Sequence, residues 1–287
     1  MEMSLMYKWL RFIILATLMT YMGFLGLNWT QKNMRNAIPA ADSRISPIIL
    51  VPGSSATQER FDAMVNELNG KTKTTSSLLK VTVHTDNHLS YSGTFKPGRS
   101  HPYIVIAFAN NHDGYSNIKK QAAWFNHAIK ILSAKYQFNH FSAIGHSNGG
   151  LVLTRYLEKY FNPQKLRITT LMTIASPFNF SETNIDKRTQ MLSDMIKANT
   201  KIPSNLIMYS VAGTENYNND GTVPFASVEA GKYIYQNTAK KYTQITVTGE
   251  DSTHHDLPQN GEIVSLIQQY ILHVNNLPDQ PNINIRH

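Results

Sequence analysis

The chain has 287 residues, of which 41% are hydrophobic and 16% charged, values that suit a globular domain with a sizeable core. It contains no cysteine, which excludes disulfides, cysteine nucleophiles and thiolate metal sites. A formal net charge of +8 would suit a nucleic acid partner. The basic residues are scattered, however, in nothing longer than pairs such as Lys119-Lys120, so we expect no nucleic acid partner.

An apolar stretch over residues 12–29 follows two basic residues, Lys8 and Arg11. Its length matches the roughly 20 residues that cross a bilayer as a helix. A buried core helix is the alternative for such a stretch. The position at the chain's start favours a signal-anchor over residues 1–29, which gives the protein a membrane partner through a transmembrane helix.

A cleaved signal peptide, which would release a secreted protein, is the competing interpretation of the same stretch. Cleavage requires small residues close behind the apolar segment. The small residues Ala37, Ala40 and Ala41 lie rather far downstream, which favours the uncleaved anchor. Basic residues beyond the segment, such as Lys32 and Arg35, weaken any prediction of its orientation.

Short apolar runs alternate with helical patterns after a polar linker over residues 30–46. The patterns predict strands over 47–51, 78–85, 103–109, 140–145, 168–175, 205–213 and 242–249, and helices over 58–68, 118–136, 150–161 and 261–272. This alternation predicts an α/β domain over residues 47–274, with a mostly parallel central sheet flanked by helices. Residues 275–287 form a polar tail.

A polar stretch over residues 178–203 carries one helix-like pattern and no predicted strand. A long insertion of this kind after a strand is typical of a lid or cap over a binding site. An ordinary crossover helix with long loops is the alternative.

The sequence Gly145-His146-Ser147-Asn148-Gly149 lies between a predicted strand and a predicted helix and fits the nucleophile-elbow pattern G-x-S-x-G. In that motif the serine backbone is strained and neighbouring chains come close, so a Cβ at either glycine would clash. A glycine-rich turn without chemistry is the alternative. The choice between them depends on whether partners for the serine exist elsewhere.

A serine nucleophile requires a histidine base and a carboxylate that orients it, in the chain order Ser, Asp or Glu, His. The loop after the sixth predicted strand offers Asp220 in an Asp-Gly turn, with Glu215 as its competitor. The loop after the last strand offers His254 and His255, and adjacent side chains cannot both face the serine. The residues thus predict a catalytic triad of Ser147, Asp220 and one of these histidines.

Backbone N–H groups of Asn148 and Ser54 are the expected oxyanion hole, because Asn148 follows the nucleophile and Ser54 follows the first core strand. The segment 110–114, Asn-Asn-His-Asp-Gly, contains oxygen and nitrogen ligands, but such loops are usually turns. We therefore expect no metal and no cofactor.

These segments resemble the α/β-hydrolase superfamily and, more narrowly, the DUF915 family of cell-surface hydrolases from Gram-positive bacteria. The resemblance runs from about residue 48 to 272 through "PIILVPGSSAT", "AIGHSNGG", "NDGTVPFAS" and an H-x-D-L-x-x-N element that begins at His254. It implies the α/β-hydrolase fold, an extracytoplasmic catalytic domain, and His254 rather than the alternative base His255. This chain departs from the family in having Pro52 where His is frequent and Asn148 where Met is common, which bears on substrate fit.

The expected function is a serine esterase, a carboxylesterase or lipase-like enzyme at the cell surface, acting on a small-molecule or lipid-like ester. A non-catalytic surface binding module on the same fold is one alternative. An acyltransferase that passes the acyl group to an alcohol or amine, using the same triad, is another. Substrate identity and oligomeric state depend on tertiary features and are not predicted.

Overall fold

A computed structural model of the protein describes residues 2–35, 42–72, 77–96, 101–214 and 217–272. The chain divides into two compact units, Met1–Ala40 and Ala41–His287. The predicted tail over 275–287 lies outside the described residues, as do the competing acid Glu215 and the three alanines at 37, 40 and 41.

The first unit contains helix α1 (Glu2–Arg35), which includes the apolar stretch over residues 12–29. The stretch is thus helical, as a spanning segment would be. A span requires about 20 consecutive apolar residues. Within the part of the chain that the structure describes, no helix has both the length and the apolar character needed to cross a membrane, so the predicted transmembrane helix is not supported.

The second unit is built on a central sheet. Its strands are β1 (Ile48–Val51), β2 (Leu78–Val83), β3 (Leu89–Gly93), β4 (Tyr103–Phe108), β5 (His140–His146), β6 (Arg167–Ile174), β7 (Ile207–Thr214) and β8 (Lys241–Thr248). They form an eight-stranded sheet in the order β3-β2-β4-β1-β5-β6-β7-β8. Every neighbouring pair is parallel except β2 and β3, which confirms the predicted mostly parallel α/β fold.

Helices cover both faces of this sheet. They are α2 (Asp62–Thr72), α3 (Tyr115–Tyr136), α4 (Asn148–Lys159), α5 (Gln190–Ala198), α6 (Phe225–Glu229), α7 (Lys232–Tyr235) and α8 (Gly261–Ile267), the last continued by a π-helical turn, Gln268–Leu272. Alternate residues of a strand point to opposite faces. In β1, Ile49 packs in one core cluster with residues of α3 and α4, and Leu50 packs in the other with residues of α2 and α8.

The edge strand β3 is absent from the sequence prediction. Its sequence, Leu-Ser-Tyr-Ser-Gly, has no apolar run, and most of its side chains are exposed. A largely polar sequence can form this strand because β3 lies at the sheet edge, where it pairs only with β2 in an antiparallel hairpin. The predicted helix over 58–68 begins later, at Asp62, because residues 58–61 form turns, with Arg60 N donating to the Thr57 carbonyl at 3.2 Å.

The polar segment over 178–203 is attached to the domain by α5. This helix buries Met191, Leu192 and Met195 in the same core cluster as α4, and Thr189 caps it by accepting a hydrogen bond from Leu192 N at 3.3 Å. Near the start of the segment, Phe180 lines a cavity beside the predicted nucleophile. The insertion therefore combines a core-packed helix with a loop that forms part of a cavity wall.

We expect Gly149→Ala to lower the free energy of unfolding by about 1–3 kcal/mol, the usual cost of overpacking a core. An added Cβ at Gly149 would lie 2.0 Å from the carbonyl oxygen of Val51, which belongs to the neighbouring strand β1. Gly70→Ala in α2 is the matched control, because nothing lies within 4 Å of its new Cβ. Alanine there should stabilise by about 0.5–1 kcal/mol. Urea unfolding measures both, and similar destabilisation by the two variants would contradict the packing argument.

Candidate active site

Ser147 lies at the turn from β5 into α4 with φ 54° and ψ −128°. A positive φ is uncommon for a residue with a side chain, and such strain persists only where the surroundings hold it. Here the Ser147 N–H donates to the Ile174 carbonyl at 2.8 Å. This strained strand-to-helix turn, at the carboxyl end of the sheet, has the geometry of a nucleophile elbow.

Glycines allow neighbouring backbone segments to approach this turn. A Cβ on Gly145 would lie 2.5 Å from Gly150 N, and the corresponding atom on Gly149 would meet the backbone of β1. The predicted need for glycine at both positions is confirmed. Gly53 is a further case, since its Cβ would lie 2.6 Å from the Ser147 Cβ. The loop after β1 therefore passes directly against Ser147.

Asp220 is held in a fixed orientation in the loop after β7, where it is only 1% exposed. Its Oδ1 accepts hydrogen bonds from Thr222 N at 3.0 Å and Val223 N at 2.7 Å. Its Oδ2 lies 2.7 Å from His254 Nδ1. A carboxylate with both oxygens engaged in this way presents one of them to the imidazole at a set angle.

Within the described residues, His254 is the histidine that contacts Asp220, through its ring and also through its backbone N–H, which donates to the Asp220 carbonyl at 2.7 Å. His255 is exposed and makes no such contact. Sequence spacing leaves the choice between the two open, and the contact agrees with the one that the family resemblance implies. With Nδ1–H donated to Asp220, the Nε2 of a neutral His254 carries the lone pair that a base needs.

Ser147 and His254 both line two cavities that the described residues form. One has a volume of about 590 Å³ and also includes both predicted oxyanion donors, Ser54 and Asn148. The other has a volume of about 860 Å³ and includes Arg60. Asn148 is the first residue of α4, so its N–H has no partner within the helix. The structure thus brings all five predicted site residues to one place.

His146, the residue before Ser147, is a buried member of the site that the sequence analysis does not single out. Its Nε2 lies 3.0 Å from the backbone carbonyl oxygen of His254, and the two imidazole rings are 4.7 Å apart. A carbonyl oxygen only accepts, so Nε2 carries the hydrogen, while the buried Nδ1 has no hydrogen-bond partner in the described structure. Burial holds the pKa of His146 well below its ordinary value, and repulsion from the His254 ring when that ring is protonated adds to the shift.

His146 is therefore a neutral imidazole that holds the backbone of His254. In the sequence, His146 is only a polar residue at the end of a buried strand, and the G-x-S-x-G motif accepts any residue at that position. That signal does not reveal its partner, which lies 108 residues further along the chain.

A family model described as "Alpha/beta hydrolase of unknown function (DUF915)" matches the chain over residues 36–274. The chain belongs to this family. The resemblance inferred from the motifs is thus confirmed. No curated protein matches the chain.

Two solved structures are similar to this DUF915 hydrolase over most of their length. A "putative cell surface hydrolase" from Lactobacillus plantarum WCFS1 is 51% identical with a TM-score of 0.75, and the match covers 83% of this chain and 95% of that one. A Listeria innocua protein is 26% identical with a TM-score of 0.72, covering 79% and 93% of the two chains. The esterase Pf2001 of Pyrococcus furiosus, at 14% identity and a TM-score of 0.46, is too distant to indicate a substrate.

The side chain of Asn148 has a specific partner in this DUF915 chain. Its Nδ2 donates to Asp113 Oδ1 at 2.7 Å. The loop that carries Asp113 is attached to the domain through Gln121, whose Nε2 donates to the Asn110 carbonyl at 3.0 Å. The loop over 110–114, which the sequence identifies only as a turn, therefore lies beside the site. Across the described ranges, no three His, Asp or Glu side chains are grouped as metal ligands would be.

We expect His146→Gln to make the protein less sensitive to acid. The unfolded chain takes up a proton at residue 146 as the pH falls below about 6.5, the ordinary pKa of histidine. The folded protein resists this protonation because the pKa of its buried His146 is lowered. His146 therefore lowers the free energy of unfolding progressively as the pH falls below about 6.5. Glutamine does not titrate and still offers an N–H to the His254 carbonyl, so the decline should be shallower.

Urea unfolding between pH 7.5 and 4.5 measures this difference, with His146→Leu as the contrasting variant. Leucine also removes the titration, but it leaves the His254 carbonyl without its donor. We expect it to cost about 1–2 kcal/mol already at pH 7.5, where His146→Gln should cost less. If the free energy of unfolding of both variants fell with acid as steeply as that of the wild type, His146 would not be the group responsible.

Proposed function

We propose that this protein is a serine hydrolase of carboxylic esters, in which Ser147 is the nucleophile, His254 the general base and Asp220 the carboxylate that orients it. The observation that carries this proposal is the 2.7 Å contact between His254 Nδ1 and Asp220 Oδ2, made by a histidine that lines the same cavities as the strained Ser147. Membership of the α/β-hydrolase family DUF915 supports hydrolysis as the class of reaction.

The acylation step follows from these positions. Ser147 Oγ attacks the carbonyl carbon of the ester while His254 Nε2 accepts the hydroxyl proton. The resulting imidazolium donates from Nδ1 to the carboxylate of Asp220, which stabilises the charge. The tetrahedral intermediate then collapses, the bond to the alcohol oxygen breaks, and His254 returns the proton to that oxygen. Ser147 is left as the acyl ester.

The oxyanion that forms during this step would be stabilised by the backbone N–H groups of Asn148 and Ser54. The N–H of Asn148 points from the first turn of α4, a helix of 12 residues whose N-terminus carries partial positive charge. Donors fixed in this way need no reorganisation when the negative charge develops. Water attacking the acyl ester, with His254 again as the base, completes the hydrolysis.

A fluorophosphonate probe should label the wild-type protein and not Ser147→Ala, because only an activated serine displaces fluoride from the probe. Asp220→Asn should lower kcat for p-nitrophenyl esters by about 10³- to 10⁴-fold, since the amide favours the wrong tautomer of the base. His255→Ala is the matched control. Its exposed side chain has no contact with Asp220 within the described residues, so activity should stay within about twofold of wild type.

Labelling that survives in Ser147→Ala would overturn the assignment of the nucleophile. Equal loss of activity in His255→Ala and His254→Ala would overturn that of the base. If the folded wild-type protein neither reacts with the probe nor hydrolyses esters of short or long acyl chains, the proposal fails in favour of a non-catalytic binding module.

We also propose that the hydrolase acts at the cell surface. The Lactobacillus plantarum protein that is 51% identical to this chain carries that location in its name. Protease added to intact cells should therefore digest the protein, while a cytoplasmic marker in the same cells stays intact. Immunoblotting before and after lysis makes the comparison, and a chain protected until the cells are lysed would contradict an exposed location.

A further inference from the structure

The cavity of about 860 Å³ beside Ser147 and His254 contains one arginine, Arg60, in the turn that precedes α2. Its side chain is half-buried. The guanidinium donates to the backbone carbonyl of His255 and, at 3.4 Å, to Gln259 Oε1. Both acceptors are uncharged. Since a guanidinium has five N–H donors, these two bonds leave others available towards the cavity.

Two carboxylates, Glu59 and Asp62, line the same cavity as Arg60, and within the described residues neither forms an ion pair with it. Asp62 pairs with Lys80 at 2.6 Å, and Glu59 accepts a hydrogen bond from the Thr57 hydroxyl at 2.6 Å.

Asp256 interacts with Arg60 electrostatically but without a hydrogen bond. The carboxylate oxygens of Asp256 accept hydrogen bonds from Thr253 Oγ1 at 2.6 Å and Gln259 Nε2 at 3.3 Å instead. Within the described ranges, Arg60 therefore has no ion-pair partner within contact distance. Burial lowers the pKa of Arg60, which means that the surroundings disfavour its charge. An anion bound beside it would offset that cost.

We propose that Arg60 binds an anionic group of the ester substrate, a carboxylate or a phosphate. The planar guanidinium matches both groups, which can accept two parallel hydrogen bonds from it. This inference rests on the proposed esterase function, and it names the class of substrate: esters that carry a negative charge within reach of the scissile bond.

The other cavity at the site has no lysine or arginine among the described residues of its lining and includes the carboxylate of Asp113, so the anionic part of a substrate is favoured beside Arg60 instead. The cavity of about 590 Å³ is lined in part by Tyr115, Pro177, Phe180 and Val223. These apolar surfaces suit an uncharged part of the ester. Since Ser147 and His254 line both cavities, an ester bound across them places its apolar part in one and its anionic part beside Arg60 in the other.

The test compares the full-length wild type with Arg60→Met on two matched pairs of esters. In the first pair the charge is on the acyl half: mono-p-nitrophenyl glutarate against its neutral methyl ester. In the second it is on the alcohol half: 4-carboxyphenyl acetate against its neutral methyl ester. Only one half of the ester can lie beside Arg60, so we expect the effect in the pair that carries its charge on that half. For that pair, Arg60→Met should lower kcat/KM for the anionic member by about 10- to 100-fold, chiefly through KM, and change the neutral member by less than about twofold.

The control variants separate charge recognition from support of the loop that carries His254. Arg60→Lys should recover part of the preference, because it keeps the charge but not the two parallel donors. Gln259→Met removes one bond of Arg60 and keeps the guanidinium, so the preference for the anionic ester should persist. Arg167→Gln removes the same charge at the start of β6, where Arg167 pairs with Asp42, and should leave the preference unchanged.

Equal losses for the charged and neutral members in Arg60→Met would overturn the proposal and identify Arg60 as a support for the His254 loop. So would a preference for the anion that survives in Arg60→Met, or the absence of any preference in the wild type.

A binding measurement decides the question even if no ester is hydrolysed. Phenyl phosphate is titrated by calorimetry into Ser147→Ala and into the double variant that adds Arg60→Met. Loss of Arg60 should raise Kd at least about tenfold. Equal Kd values, or no binding to either variant, would contradict an anion subsite. Failure of ester hydrolysis with this difference in Kd intact would contradict the esterase function alone.

Discussion

The site depends on the strained backbone at Ser147 and on the close packing that holds it. Parallel pairing places Val51 of β1 opposite Gly145 of β5, so the loops that follow these two strands leave the sheet side by side. The missing Cβ atoms of Gly53 and Gly149 let those loops touch. One constraint, the approach of two central strands at their carboxyl ends, thus positions the proposed nucleophile together with the loop that carries Ser54.

A second group of contacts fixes the proposed base. His254 is held through its ring by Asp220 and through its backbone by both Asp220 and His146. His146 is suited to this role because burial keeps it uncharged, so it adds no positive charge beneath the imidazolium that forms at His254 during the proposed reaction. The proposed base therefore sits on a loop whose position is set by hydrogen bonds to the end of β5 and to the loop after β7.

In the proposed orientation of the substrate, the two cavities hold different parts of the ester. One is bordered by apolar side chains from the loop after β6, and the other holds Arg60 from the loop after β1. Loops at the carboxyl ends of strands commonly set specificity in α/β folds, while the strands supply the frame. In this chain the Asn148–Asp113 contact adds a third such loop to the border of the site.

The sequence by itself determined the alternation of strands and helices, the elbow at Ser147 and the loops that hold Asp220 and the two histidines, because these follow from local periodicity and chain order. Local apolarity also suggested a membrane span that the structure does not support. Only the tertiary structure distinguished His254 from His255 by contact, paired His146 with His254, and placed Arg60 beside Ser147. Those relations join residues far apart in the chain, and only the folding of the sheet brings them within bonding distance.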